Sequence, residues 1–163
     1  MNDVPATFDL LMGELDYPMF IVTTATDQRC AGCLVGFATQ TSIDPSRFLV
    51  CLSKRNHTYR VAREAGVLAV HLVPADGGDL AELFGGQTGD RLDKFERCEW
   101  WPGPAGVPIL ARCENWFTGR IITRVDAGDH DAFLLEPIAA AAGANRGELN
   151  FRRARWIEPG HPS

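Results

Sequence analysis

From Ile109 to Val125 the sequence alternates with the two-residue period of a β-strand. One set of positions holds Ala111, Cys113, Asn115, Phe117, Gly119, Ile121, Thr123 and Val125, while the other contains Arg112, Glu114, Arg120 and Arg124, a face suited to water. Asp126-Ala127-Gly128-Asp129 then makes a turn, and Ala132 to Ile138 returns as a second strand. A strand this long, doubled back by so short a turn, commits the chain to antiparallel pairing. Gly119 marks the position at which such a strand bulges or bends.

The same pattern recurs upstream. Tyr17 to Thr24 is rich in β-branched and aromatic residues and reads as a strand, since Pro18 and the crowded β-branched side chains disfavour a helix. Ala25 to Arg29 supplies a turn, and Cys30 to Phe37 is the returning strand. Arg47 to Leu52 is too continuously apolar to leave one face wet, and Val67 to Val73 adds a further strand. Helical character is confined to short stretches: Thr7 to Glu14, Asn56 to Ala65 closed by Gly66, a start at Asp79 that stops at Gly85-Gly86, and Thr88 to Phe95. Ala38 to Pro45 reads as a polar loop, Trp101 to Pro108 as a loop rich in proline and glycine, and Arg155 to Ile157 as a last edge strand. Six or seven strands with short helices predict a mainly β fold, a small antiparallel barrel, in one domain over residues 1–163. A doubly wound sheet gains no support, because no Gly-x-Gly-x-x-Gly follows the first strand.

Charge narrows the function. Sixteen Lys plus Arg against 21 Asp plus Glu leave a net charge of −5, so no basic excess exists to neutralise nucleic-acid phosphates. No apolar run approaches the roughly 18 residues of a membrane span. Asp3, Asp9 and Glu14 stand where an export signal would carry positive charge. Five cysteines, an odd count, read as reduced thiols of a cytoplasmic protein.

Four segments carry candidate chemistry. Cys30-Ala31-Gly32-Cys33 is a C-x-x-C, but no second pair completes a four-ligand zinc site, and no metal is expected. In a strand its two thiols point to opposite faces, so packed thiols are the default over a redox pair. Ser53-Lys54-Arg55-Asn56-His57-Thr58 follows a buried strand and opens a helix. It is either an anion site, with two cations beside free backbone N–H groups, or a solvated helix start capped by Asn56. Thr39-Gln40-Thr41-Ser42 offers hydroxyl and amide groups to the polar edge of a flat heterocycle, or is a plain polar turn. Because the two segments flank the single strand Arg47 to Leu52, both can border one pocket. His130, in Gly128-Asp129-His130, either meets a substrate or caps a strand end. His71 reads as a packed histidine, His161 carries no message, and no Gly-x-Ser-x-Gly supports a serine nucleophile.

Several motifs in order resemble the flavin reductase-like family of FMN-binding split-barrel proteins. They are Phe20-Ile21-Val22-Thr23-Thr24, Gly32 ahead of Thr39-Gln40-Thr41-Ser42-Ile43-Asp44-Pro45, and Cys51-Leu52-Ser53-Lys54 with Asn56 and Thr58. Asp93-Lys94-Phe95, Val107-Pro108-Ile109-Leu110 and Gly128-Asp129-His130 follow, and the resemblance covers about Tyr17 to Ile138. It implies a six- or seven-stranded split β-barrel, mainly β with short helices, that forms a homodimer with FMN, or alternatively FAD, near the subunit interface. By position, Thr39, Gln40, Thr41 and Ser42 would line the isoalloxazine ring. Ser53, Lys54, Asn56 and Thr58, with His57 in the same segment, would grip the ribityl phosphate, and His130 would lie on the nicotinamide side. The implied activity is transfer of hydride from NADH or NADPH to flavin, with a flavin-dependent monooxygenase as partner. The alternatives are a flavin-binding electron carrier, or an oxidoreductase with fixed FMN and another substrate.

Overall fold

The computed structural model describes residues 3–161. The chain begins with α1 (Val4–Gly13), β1 (Phe20–Ala25), β2 (Cys30–Val35), β3 (Ala38–Ser42), β4 (Arg47–Ser53), α2 (His57–Ala62), β5 (Val67–Leu72) and α3 (Gly78–Gly86). It continues through β6 (Trp100–Pro102), β7 (Pro108–Leu110), β8 (Trp116–Asp126), β9 (His130–Ala141) and α4 (Phe151–Ala154). Seven strands form one sheet in the order β2-β1-β5-β8-β9-β4-β3, every neighbouring pair antiparallel, and β6 and β7 make a separate two-stranded ribbon.

That order carries a geometric consequence. β2 and β3 are the two edges of the sheet, yet only Gly36 and Phe37 separate them in the chain. A flat sheet of this width would hold its edges about 29 Å apart at a strand spacing of about 4.8 Å. The link from Val35 to Ala38 spans at most about 11 Å. The sheet therefore curls until β2 approaches β4, and the chain leaving β2 passes at once into the β3–β4 ladder, where the Cys51 N–H donates to the Phe37 carbonyl at 2.9 Å. The seam at Gly36-Phe37 is where closure is least complete.

Curling gives the sheet an inside and an outside, and both are apolar. Val22, Cys33, Val50, Leu52, Leu68, Val70, Phe133 and Leu135 fill the interior, with Tyr59 and Ala62 of α2 closing one end. On the outer face Ile21 packs with Leu80, Ala81 and Phe84 of α3, and with Leu110 and Cys113. This double burial explains why β1 reads as continuous apolar and β-branched residues. The chain beyond β9 then returns alongside β1, where the Met19 N–H donates to the Leu149 carbonyl at 2.8 Å and Tyr17 stacks on Phe151.

The mainly β, antiparallel expectation stands, and several local readings are corrected. Ala38 to Ser42 is a strand and not a loop: at a sheet edge a polar, β-branched sequence pairs on one side and meets water on the other. The long alternation from Ile109 is two strands, because Leu110 leaves with the ribbon and the chain turns before Trp116. Of the loop expected at Trp101 to Pro108, Gly103 to Val107 is the connection, turning at Ala105 and Gly106 with φ of 58° and 74°, while Trp101, Pro102 and Pro108 belong to the ribbon. Gly119 does mark a bulge. α2 ends at Arg63 and not Gly66, whose carbonyl instead accepts from the Ile121 N–H. Only Lys94–Glu96 of the helix expected at Thr88 to Phe95 is helical, as one 3-10 turn. Gly77, not Asp79, caps α3, leaving the Asp79 carboxylate to pair with Arg112 at 2.6 Å. Arg155 to Ile157 is no strand but the turn that follows α4.

His71 is fully buried and both ring nitrogens are used: Nδ1–H donates to the Ile21 carbonyl at 2.9 Å, and Nε2 accepts from the Leu110 N–H at 3.1 Å. It thereby ties the ribbon to the sheet. Burial lowers its pKa from 6.5 to about 4, so the folded protein holds the ring neutral where the unfolded chain would protonate it. This contribution is complete above pH 6.5 and is lost as pH falls toward 4. Denaturant unfolding across that window should show stability falling by up to about 1.4 kcal/mol per pH unit, with the slope reduced in His71→Gln.

Candidate functional site

The seam opens into a cavity of about 330 Å³. Leu34, Phe37 and Leu52 give it apolar walls, and Ser53, Asn56 and His130 bring polar groups. A second space of about 350 Å³ adjoins it, sharing Met19, Cys33, Leu34 and Asn56 and adding Phe84, Gly85, Gln87 and Thr88 from the end of α3. Pro159 and His161 of the C-terminal segment line both, and the Gly160 N–H donates to the Gly85 carbonyl at 3.2 Å.

The segment after β4 builds the polar end. Asn56 caps α2 by accepting from the Thr58 N–H at 3.0 Å, and Ser53 Oγ accepts from the Arg55 N–H at 3.4 Å. Lys54 reaches the β8–β9 turn, donating to Asp126 Oδ1 at 2.7 Å and to the Gly128 carbonyl at 2.6 Å. Its backbone N–H donates to the Asp129 carbonyl at 2.9 Å. The hydrogen bond to Asp126 raises the lysine pKa and lowers that of the carboxyl. Gly128, at φ 113°, lets the turn close on the ammonium.

Beneath this turn lies Asp131, with a side chain only 9% exposed. Its Oδ2 accepts from the Tyr59 hydroxyl at 2.7 Å and lies 3.4 Å from Arg124 Nε, while Oδ1 is 3.7 Å from Lys54 Nζ. The bond to Asp131 pushes the Tyr59 phenol up and keeps it a donor. One buried carboxylate of β9, next to His130, thus ties together α2, β8 and the turn after β4. The His130 ring packs against Phe37 with centroids 5.2 Å apart, and Nδ1 meets Asp129 Oδ1 at 2.6 Å. Its Nε2 has no hydrogen bond among the described residues.

The structure brings together only part of the set read from sequence. Ser53, Asn56 and His130 share the seam cavity, with Lys54 at the adjoining turn. Thr58 is buried behind the cap. His57 lines a different cleft, where Nδ1 meets Asp90 Oδ1 at 3.0 Å. Arg60 donates to the same carboxylate and holds its pKa down at about 2. Thr39, Gln40 and Thr41 are exposed and Ser42 is half-buried on edge strand β3, and none of the four lines either seam space. Missed were Phe37, the Gly85 to Thr88 turn, and His161, which has a place at the cavity after all. The paired glycines at the end of α3 were the available signal, since Gly85 has no room for a Cβ against Leu34. Cys30 and Cys33 sit in β2 with pKa values raised by burial, which suits packed thiols and not thiolate chemistry. No group of three His, Cys, Asp or Glu side chains able to hold a metal occurs among the described residues. No helix among them is long and apolar enough to cross a membrane.

The architecture is a curled antiparallel sheet with a cavity at its seam, and comparison with known proteins identifies the family. The flavin reductase like domain matches residues 12–157, and the chain belongs to that family of oxidoreductases. It is 28% identical over 151 residues to the FMN reductase (NADH) RutF of Variovorax paradoxus, covering 93% of this chain and 83% of that protein. It is also 28% identical over 142 residues to a probable flavin reductase of Rhizobium meliloti, covering 85% of this chain. There it spans less than half of the relative, 44% of its length. The fold of the Streptomyces globisporus NADH:FAD oxidoreductase SgcE6 superposes with a TM-score of 0.83 at 22% identity, over 92% of this chain and 90% of that one.

Asp131→Ala would leave Tyr59, Arg124 and Lys54 without their shared acceptor. Urea unfolding should then show a loss of about 1–3 kcal/mol, chiefly the cost of leaving the buried Tyr59 hydroxyl without its acceptor.

Proposed function

We propose that the protein is an FMN-binding, NAD(P)H-dependent flavin reductase whose flavin occupies the seam. The observation that carries this reading is the seam cavity itself: apolar walls for a flat ring, with Ser53, Asn56 and His130 as its polar groups, Ser53 and His130 facing each other across β4 and β9. Apolar walls with a few convergent polar groups are what an amphipathic heterocycle requires. The RutF relative, named as an FMN reductase using NADH, supports the same chemistry.

When bound, the flavin accepts hydride at its ring, and negative charge grows along the ring's polar edge. Leu34, Leu52 and Phe37 would exclude water from the ring faces. Ser53 and Asn56 would supply hydroxyl and amide donors to the phosphate, with Thr58 buried behind them holding the Asn56 cap and Lys54 at the adjoining turn as the cation. Thr39 to Ser42, on the edge strand beside β4, would offer donors to the ring edge once a second copy or the ligand folds over them. His130, with Nδ1 held by Asp129, would present Nε2 to the nicotinamide. The demand on the protein is mainly positional, because two rings must be held in hydride-transfer contact.

The working unit in this proposal is a homodimer. Phe37 at the seam, with Ile122, Val125 and Ile138 on the long hairpin, are 57%, 45%, 55% and 50% exposed, an apolar surface that a second copy would cover. Sedimentation should give twice the monomer mass of 17.9 kDa. The reduced flavin would then pass to a flavin-dependent monooxygenase.

Anaerobic mixing with FMN and NADH or NADPH should bleach the flavin absorbance. Tight FMN binding without bleaching would instead establish an electron carrier. Lys54→Ala should weaken FMN binding by about 1.5–3 kcal/mol if the ammonium turns from Asp126 to the phosphate. Unchanged affinity would confine Lys54 to tying the turn.

A further inference from the structure

The segment that follows α4 lines both seam spaces, and it does so from beyond the match to the flavin reductase like domain, which ends at Ile157. α4 itself is anchored, with Ala154 buried in the outer-face core and Phe151 stacked on Tyr17 at 4.8 Å. The Ile157 N–H then donates to the Ala154 carbonyl at 3.0 Å, and the chain passes over the end of α3. Ile157 Cγ2 lies 3.4 Å from where a Cβ on Gly85 would stand and 3.5 Å from that of Gly86.

Gly160 fixes the segment in place. Gly85 stands in the last turn of α3, where helix carbonyls have no partner within the helix, and the Gly160 N–H donates to its carbonyl at 3.2 Å. A Cβ on Gly160 would stand 2.5 Å from the Gln87 carbonyl carbon, 2.7 Å from the Thr88 nitrogen and 2.9 Å from Gln87 Cα. All three are backbone atoms, which cannot rotate aside as the end of a side chain can. Only glycine lets the two backbones approach this closely.

The residues on either side of Gly160 face the ligand spaces. Pro159 and His161 line both the 330 Å³ cavity and the 350 Å³ space, so the segment is a wall that the two have in common. Asn56, from the cap of α2, lines both as well, and with His161 it brings nitrogen-containing polar side chains to them from opposite ends of the chain. Pro159 is exposed and His161 half-buried, which puts the pair at the rim and not in the core. A rigid pyrrolidine ring and an imidazole with an apolar body and a polar tip suit the side of a flat, polar-edged ligand.

We propose that residues 158–161 form a strap that holds flavin in the seam, with Pro159 and His161 in contact with the bound ligand and Gly160 keeping them there. The proposal rests on the reading that the seam binds flavin, and it adds to that site a wall built from beyond the matched domain. The strap positions the ligand and slows its departure; it takes no part in hydride transfer. Its docking consists of one backbone hydrogen bond and one close backbone approach, while α4 has its own anchor against Tyr17. The strap can therefore come away without disturbing the sheet.

The test compares the wild type with Gly160→Val, His161→Ala and His161→Gln. Without flavin, hydrogen exchange should show the residue 160 amide protected in the wild type and unprotected in Gly160→Val. FMN, titrated calorimetrically and then diluted to follow its release, should bind about three- to tenfold more weakly in Gly160→Val and His161→Ala, with the change in the dissociation rate. His161→Gln keeps a side-chain N–H donor and should recover most of the loss. Equal FMN affinity in all four proteins, or an unprotected residue 160 amide in the wild type, would overturn the proposal. So would tighter binding in Gly160→Val, the sign of a plug that the ligand must displace. Should Gly160→Val fail to fold, His161→Ala decides, because it leaves the backbone contact in place. No FMN binding to a wild type whose residue 160 amide is protected would overturn the seam reading and the strap's ligand with it, whereas equal binding by all four proteins removes the strap alone.

Discussion

Two residues decide the shape of this protein. Gly36 and Phe37 join strands that stand at opposite ends of the sheet order, and a link that short forces seven strands to curl until β2 approaches β4. Everything else accommodates that closure. The interior must be filled with Val, Leu and Phe side chains, the outer face of β1 needs α3 as cover, and the bulge at Gly119 bends β8 round the curve. The join cannot complete a regular ladder, because the chain there is changing from one edge to the other. That incompleteness is the cavity.

Closure alone would leave a gap without chemistry, and Asp131 supplies the order around it. A carboxylate this buried is tolerable only with several partners, and Tyr59, Arg124 and Lys54 come from α2, β8 and the turn after β4. Through Lys54 it also braces the turn that carries His130. In an acidic chain the cations near the seam are thus spent on positioning the turn. Net charge does not describe the place, which is set by which carboxylates the fold brings within reach.

The sequence exposes its strands where burial is one-sided or complete, as at β1, β4 and β9, since apolar pattern is then the dominant signal. It hides β3, whose Thr-Gln-Thr-Ser looks like a loop because an edge strand has no apolar face to show. Thr88 to Phe95 misleads for the opposite reason. Its local helical signal yields to Asp90, which is held by His57 and Arg60 from α2, a contact between residues about 30 positions apart. The Asn56 cap and the packed His71 are legible because their causes are local or compositional. The position of His57 is not, since adjacent residues at a helix start face different cavities and only the fold says which.

The absence of a recognisable catalytic group in the sequence follows from the same geometry. A reaction that needs a proton taken from a strong bond demands an acid or base with a displaced pKa, and such residues advertise themselves. A reaction that needs two flat rings held together demands walls, a rim of donors and a fixed separation. Those are properties of the seam as a whole: Leu34, Leu52 and Phe37 as walls, Ser53 and Asn56 as rim, and a histidine steered by its neighbour Asp129. None of these residues is unusual in isolation. What makes them a candidate site is that the closing sheet leaves a join at Gly36-Phe37 beside the cap of α2, so that apolar surface and polar donors meet there.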